Sequence, residues 1–111
     1  MKKLAMPLEG GKLAHHFGHS QLFHFFEIED NKILNSYTRE PPPHQEGVIP
    51  RWLASEKATD LLVGGVGPKA VEILYAHGIN VLVGVDSDEP NNLALDFING
   101  DLKFGNNSCN H

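Results

Sequence analysis

The sequence predicts an α/β domain of three layers, α/β/α, built around a mixed sheet of about five strands. Three strand-like runs open the chain, and a tight turn joins the second run to the third. Two short apolar runs, residues 60–64 and 80–85, then alternate with stretches of helical spacing. Strand–helix–strand units of this kind form parallel pairs, whereas the early hairpin contributes an antiparallel strand. Both strand orientations are therefore expected in one sheet.

The N-terminal part supplies three predicted strands. Residues 2–6 form the first strand, which ends at a proline because proline lacks the backbone donor of a sheet ladder. Residues 22–28 carry apolar side chains at both alternating positions, which is typical of a strand covered on both faces. Residues 33–38 return as its hairpin partner, with Ile33 and Tyr37 on the same face.

Prolines and glycines mark the ends of three predicted helices. The apolar residues between them recur at helical spacing, so each helix is expected to pack one face on the sheet. The helices begin near Pro50, at Pro68 and after a cap at Ser87 or Asp88, and the last two end at Gly78 and Gly100.

Length and composition limit the classes of function. A chain of 111 residues can bury one hydrophobic core, and we expect a single cofactor-binding domain over residues 1–111, with a flexible tail from about residue 105. The formal net charge of −5 gives no general attraction for nucleic acid, so none is expected as a partner. No apolar run is long enough to span a bilayer, and a single cysteine, Cys109, excludes an intramolecular disulfide. These features predict a cytoplasmic protein without a membrane partner.

The segment Ala14–Ser20, called the histidine loop below, contains three of the seven histidines: His15, His16 and His19. Neutral imidazole is the commonest metal ligand in proteins, and protonated imidazole donates hydrogen bonds to anions. The spacing allows two of these imidazoles to face one point, so they are candidate metal ligands or the lining of a site for an anionic cofactor. The alternative is a polar surface loop whose histidines bond to the backbone.

Three loops are expected at one edge of the predicted sheet. The histidine loop leaves the first strand there, and the proline-rich loop that contains His44 begins where the third strand ends. Residues Gly65–Gly67, called the glycine loop below, follow the fourth strand at the same edge if that strand is parallel to the first. Ligands of open α/β sheets bind outside the carboxyl ends of the strands. The three loops are therefore predicted to form one site.

Two of the chemical features have an alternative, purely structural interpretation. The glycine loop precedes a helix whose N-terminal N–H groups suit an anion, but it also fits a tight strand-to-helix turn. The end of the chain offers the Cys109 thiolate and the His111 imidazole to a soft or borderline metal, or it is a frayed terminus.

Five short segments along the chain match the pattern of one family. They are Met6-Pro7, Phe17-Gly18-His19-Ser20 with Phe23, Pro43-His44-Gln45-Glu46-Gly47, the run from Asp60 to Gly67, and Ala76-His77-Gly78-Ile79. In their order and spacing they resemble the dinitrogenase iron–molybdenum cofactor biosynthesis family, and the resemblance covers nearly the whole chain.

The resemblance implies a ribonuclease H-like fold without the nuclease carboxylates. It also implies a protein that is not an enzyme and that binds or carries the iron–molybdenum cofactor, a precursor of it, or another metal–sulfur cluster such as an iron–sulfur cluster. Cluster donor and acceptor proteins are then the expected partners. Carried over by position, the cofactor-binding residues are Phe17, Gly18, His19, Ser20, His44, Gly65, Val66 and Gly67.

Two other functions fit the same residues. A mononuclear metal-binding protein would use His15, His16 and His19 together with Cys109 and His111, and it would need the end of the chain. A small phosphoester hydrolase would use the glycine loop and a histidine base, but no Gly-x-Ser-x-Gly turn in the sequence offers it a nucleophile.

Overall fold

A computed structural model of the chain describes residues 1–105, with the exception of the His19 side chain. In this part of the chain, six strands form one sheet and three helices cover it. Every predicted strand and helix is present, although several of their ends differ from the prediction. The elements are β1 (Lys2–Glu9), β2 (Lys12–Leu13), β3 (Leu22–Glu29), β4 (Lys32–Arg39), α1 (Val48–Ser55), β5 (Asp60–Leu62), α2 (Pro68–Ala76), β6 (Asn80–Leu82) and α3 (Pro90–Asn99), and a 3-10 turn spans Phe17–His19.

The sheet has the strand order β4-β3-β1-β5-β6, and β2 pairs with the end of β1. β3 is antiparallel to both β1 and β4, whereas β5 is parallel to both β1 and β6. The predicted mixed sheet is thus confirmed. Because β1, β5 and β6 run in the same direction, their C-terminal ends meet at one edge, called the carboxyl edge below.

One face of the sheet carries α1 and α2. Leu53 of α1 and Leu74 of α2 are fully buried in a cluster with Phe23 and Phe25 of β3. The Trp52 ring of α1 meets both phenylalanine rings edge-on, at centroid distances of 5.3 and 5.8 Å. Burial of each such side chain contributes roughly 1.5–3 kcal/mol, so this aromatic cluster is what fixes α1 on the sheet.

The opposite face carries α3. Leu93 and Ala94 of this helix are buried in a second cluster, with Leu4 and Met6 of β1 and Leu62 of β5. Helices on both faces of the sheet give three layers, which confirms the predicted α/β/α architecture. The narrower expectation of a ribonuclease H-like fold stays a prediction.

The first strand is longer than predicted. β1 continues through Pro7 to Glu9, with Pro7 in register opposite Phe23 of β3. The proline has no N–H to contribute, but its carbonyl oxygen accepts a bond of 2.8 Å from the Ala14 amide. A turn at Gly10 and Gly11, both with positive φ, then folds the short, unpredicted strand β2 back onto β1.

The expectation that Ile33 and Tyr37 share a face of β4 is wrong. The β3–β4 register shifts between Glu27 and Ile28, so Ile33 pairs with Ile28 while Tyr37 pairs with Phe25. Ile33 consequently packs on the cluster beneath α3, and Tyr37 packs on the cluster beneath α1 and α2. One irregular position in a strand is enough to exchange faces, because side chains alternate with a period of two.

The predicted cap of the third helix is also wrong. Glu89 is the N-cap of α3, and the two residues proposed as caps have other partners. The Ser87 hydroxyl donates to the Leu13 carbonyl oxygen at 2.8 Å, and the Asp88 carboxylate accepts from the Glu89 amide at 2.7 Å. Ser87 therefore bonds to β2 instead of capping the N-terminus of α3.

The fourth and fifth predicted strands are shorter than expected, but the segments that follow them stay adjacent. Beyond β5 and β6, the Gly84 amide donates to the Gly64 carbonyl oxygen at 2.9 Å. The Gly105 amide in turn donates to the Gly84 carbonyl oxygen at 2.7 Å, next to a bridge between Val85 and Phe104. The chain after α3 thus returns to the carboxyl edge.

Two further predictions concern the C-terminal tail and membrane-spanning segments. The predicted flexible tail begins at the limit of the described residues, and residues 106–111 lie outside them. Among the helices of residues 1–105, none is long and apolar enough to cross a membrane.

Candidate functional site

The histidine loop lies between the carboxyl ends of β1 and β5. Near its start, the Ala14 amide is bonded to Pro7 of β1. His16 then forms an isolated parallel bridge with Gly65, and the Phe17 amide donates to the Gly65 carbonyl oxygen at 2.8 Å. The loop therefore occupies the position next to β1 that a longer β5 would take, which brings the histidine and glycine loops together as predicted.

Two glycines make this contact possible. A Cβ atom on Gly64 would lie 2.9 Å from the His15 carbonyl oxygen and 3.2 Å from that of Ala14. A Cβ atom on Gly65 would lie 3.1 Å from the same His15 oxygen and 3.5 Å from Nδ1 of His16. Gly64 and Gly65 thus give the backbone of the histidine loop room to pack against the chain that leaves β5.

The two loops line a pocket with a volume of about 400 Å³. Gly67, in its wall, is the N-cap of α2, so the positive end of that helix dipole adjoins the pocket. A helix N-terminus and an imidazole are both suited to a negatively charged ligand. The lining residues are His16, Phe17, Gly18, Gly65, Val66 and Gly67.

A second pocket, of about 240 Å³, adjoins the first and shares Phe17 and Gly18 with it. His44 lies in its wall, as does Lys69 of α2. An exposed ion pair between Lys69 and Glu46, 3.3 Å long, links α2 to the proline-rich loop. Each of the three predicted loops therefore lines at least one of two pockets that share Phe17 and Gly18.

The contact between the proline-rich loop and the histidine loop runs through Ser20. His44 Nε2 lies 3.4 Å from the Ser20 carbonyl oxygen. The Ser20 side chain is 6% exposed, and its hydroxyl donates to the Phe17 carbonyl oxygen at 3.0 Å. The hydroxyl of this predicted cofactor-binding residue is thus bonded within the loop itself.

The predicted metal ligands are only partly brought together. His15 and His16 are both exposed, and His16 borders the pocket. The His19 side chain, Cys109 and His111 lie outside the described part of the structure. Within that part, no three His, Cys, Asp or Glu side chains are grouped to hold a metal ion.

Lys69 is a site residue that the sequence interpretation missed. It follows Pro68 in the first turn of α2, so the available signal was a lysine directly after the Gly-Pro that begins the helix. Its ammonium group is paired with the Glu46 carboxylate, which also lines the second pocket, so the pair leaves the net charge there unchanged.

Two other candidate groups belong to the framework of the fold. The His24 ring is half-buried and stacks on Phe26 at a centroid distance of 4.2 Å, and this burial lowers the pKa of His24 below its ordinary value. Asp60 is buried at the start of β5, away from the carboxyl edge, where it accepts bonds from Thr59 and Asn80. Neither side chain lines the two pockets at the carboxyl edge.

The model of the family described as dinitrogenase iron-molybdenum cofactor matches residues 1–100. The uncharacterized protein MJ0580 of Methanocaldococcus jannaschii is 29% identical over 86 residues, which is 73% of each chain.

Two solved structures are similar over nearly the whole chain. The crystal structure of PH0822 has a TM-score of 0.88 and 30% identity, covering 94% of this chain and 95% of its own. The apo form of the orange protein from Desulfovibrio gigas has a TM-score of 0.78 and 24% identity, covering 96% and 94%, and at that identity the likeness concerns the fold alone. Because the family model spans most of the sequence, this chain belongs to the dinitrogenase iron-molybdenum cofactor family.

Proposed function

We propose that this protein binds and carries a metal–sulfur cluster, namely the iron–molybdenum cofactor, a precursor of it or another iron–sulfur cluster, and that it does so without catalysing a reaction. The observation that carries the proposal is that His16 and His44 line two adjoining pockets at the same edge of the sheet. Membership of the family points to the same class of cargo.

The histidines and backbone N–H groups around the two pockets suit a preformed cluster better than a bare metal ion. A cluster brings its own sulfide ligands, so one or two protein ligands and several hydrogen-bond donors are enough to hold it. In this proposal the imidazoles of His16 and His19 coordinate metal, and the glycine loop and the α2 N-terminus donate N–H groups to sulfides. His44 and Lys69 border the other side, and Cys109 offers a thiolate.

The mononuclear metal site remains a second candidate because Cys109 and His111 lie in the same sequence as the histidine loop. A bare divalent ion in a protein site generally requires three or more protein ligands. Deletion of residues 108–111 separates the two candidates, since it abolishes binding of a bare ion but leaves most of the cluster affinity in place. A phosphoester hydrolase is the third candidate, and turnover of a generic phosphoester would support it.

We also propose the partners and the cellular compartment of the protein. We propose a single cofactor-binding domain over residues 1–111 that exchanges its cluster with donor and acceptor proteins in the cytoplasm. A single cysteine is consistent with a reducing compartment, and metal–sulfur clusters are stable only where oxidants are scarce.

The test is an anaerobic binding titration with a reconstituted iron–sulfur cluster and, separately, a molybdenum–iron–sulfur cluster. Replacement of His16, His19 or His44 by Ala removes one direct contact and is expected to weaken binding about tenfold or more, which corresponds to roughly 1.4 kcal/mol. His77→Ala is the matched control, because His77 is an exposed histidine at the opposite end of α2. Equal affinity in all four variants would place the site elsewhere.

A further inference from the structure

Ser20 is one of two polar or charged residues that are buried in the described part of the chain. We infer that Ser20 is a positioning residue: it holds His44 through its carbonyl oxygen, so that Nδ1 of His44 is the ring nitrogen left to coordinate the ligand. The inference rests on the proposed function, in which His44 contacts the cluster. It assigns to Ser20 a role different from the direct ligand contact that the sequence suggests.

The Ser20 side chain has a defined task in the loop. Its hydroxyl donates to the Phe17 carbonyl oxygen, three residues earlier, and so closes the 3-10 turn Phe17–His19. The other end of the turn is fixed by the bond from the Phe17 amide to Gly65, and the Gln21 amide bonds to Leu8 of β1 at 2.9 Å. The turn is thus tied to the sheet on both sides, which sets the direction of the Ser20 carbonyl.

The chemistry of the contact decides the state of the His44 ring. A carbonyl oxygen has lone pairs and no proton, so the 3.4 Å contact is a hydrogen bond only when Nε2 carries the proton. In a neutral imidazole the second nitrogen then holds the lone pair. Ser20 therefore selects the Nε2–H tautomer of His44 and leaves Nδ1 as the donor atom toward metal, in the way that outer hydrogen bonds orient metal-bound histidines.

The first test needs no ligand. Long-range proton–nitrogen NMR spectra of protein labelled with ¹⁵N-histidine, at a pH of about 8, report which ring nitrogen carries the proton. The native protein is expected to show only the Nε2–H form of His44, and Ser20→Ala is expected to add the Nδ1–H form. Ser55→Ala is the matched control, because the Ser55 hydroxyl makes the same bond to a carbonyl three residues earlier, at 2.6 Å to Trp52.

The second test uses the titration with the iron–sulfur cluster. His44→Gln keeps an N–H group at the position of Nε2 but has no counterpart of Nδ1, so it is expected to weaken binding about tenfold while thermal stability stays unchanged. Ser20→Ala is expected to weaken binding several-fold together with the tautomer change, whereas Ser55→Ala changes neither.

The outcomes of the NMR and binding tests distinguish the role of Ser20 from the proposed function of cluster binding. Weaker binding in Ser20→Ala with an unchanged His44 tautomer would overturn the inference, because the serine would then act on the ligand directly. An unchanged tautomer with unchanged binding would overturn it as well. If native protein fails to bind either cluster, the proposed function is wrong, while the NMR result still decides whether Ser20 positions His44.

Discussion

The carbonyl oxygen of His15 lies 2.9 Å from the place where a Cβ atom on Gly64 would stand. Real Cβ atoms do not approach backbone oxygens so closely, so only glycine allows the two segments this contact. Gly64 follows β5 directly, and His15 belongs to the histidine loop. The position of the candidate histidine ligands thus depends on the absence of a Cβ atom at Gly64, in the segment that follows β5.

Gly64→Ala is therefore expected to destabilise the protein. The clashing atoms belong to the backbone and cannot rotate away, and overpacking of this kind costs roughly 1–3 kcal/mol. Urea unfolding measures the loss. Gly18→Ala is the matched control, because a Cβ atom there meets nothing within 4 Å, and its stability is expected to stay the same or to rise by up to about 1 kcal/mol. Equal stability of the two variants would contradict the close contact.

Phe23 connects the site to the core. Its ring is fully buried and meets Phe17 of the histidine loop at a centroid distance of 5.9 Å, as well as Trp52 of α1. Phe23→Ala is expected to cost about 3–5 kcal/mol and to shift the emission of Trp52, the only tryptophan, to longer wavelength as water reaches it. Phe104→Ala removes a half-exposed ring and is expected to cost far less. Similar losses in both variants would mean that Phe23 is not a core residue.

The β3–β4 turn provides a test of backbone conformation. Asp30 and Asn31 both have positive φ, 54° and 62°, as the two central residues of a tight hairpin turn require. Asn31→Ala is expected to lose about 1 kcal/mol, because alanine tolerates the left-handed region poorly. Asn31→Gly is expected to equal or exceed the native stability. Thermal unfolding of the pair checks both, and the reverse order would contradict this turn.

The His24 ring predicts a dependence of stability on pH. Burial against Phe26 lowers the pKa of His24 from its ordinary value of 6.5, so the folded protein takes up the proton less readily than the unfolded chain. As pH falls below that value, the unfolded state binds more protons and stability falls, until the pH passes the lower pKa of the folded state.

The measurement is urea unfolding of native protein and of His24→Gln at pH values from about 8 to about 5. The free energy of unfolding of the native protein is expected to decline more steeply toward acid than that of the variant. Parallel curves would show that His24 does not contribute to the acid dependence.

The sequence allowed the convergence of three loops to be predicted because strand direction alone decides where each loop lies. Once residues 60–64 were taken as parallel to the first strand, the loops that carry His16, His44 and Gly65 had to meet at one edge. Hydrophobic periodicity was enough to predict this convergence, since it identifies the strands and no knowledge of their side-chain contacts is needed.

The exact strand ends, the face of each side chain and the roles of the glycines could not be predicted, because they depend on contacts between residues far apart in the chain. Pro7 remains in β1 because Ala14 bonds to its carbonyl, and Ile33 changes face because of one irregular position in β4. The glycines after β5 offered either a tight turn or an approach to a ligand, whereas Gly64 makes room for His15. Ser20 likewise has no local signal that separates a ligand contact from a bond within its own turn.

The measurement that tests cluster carriage most directly is the metal and acid-labile sulfide content of untagged protein purified without oxygen, before and after incubation with a reconstituted cluster. Iron and sulfide in near-integral ratio, retained by His77→Ala and lost when His16 and His44 are both replaced by Ala, are the expected result. Zinc or nickel without sulfide, or no metal in either preparation, would contradict the proposal that this protein carries a metal–sulfur cluster.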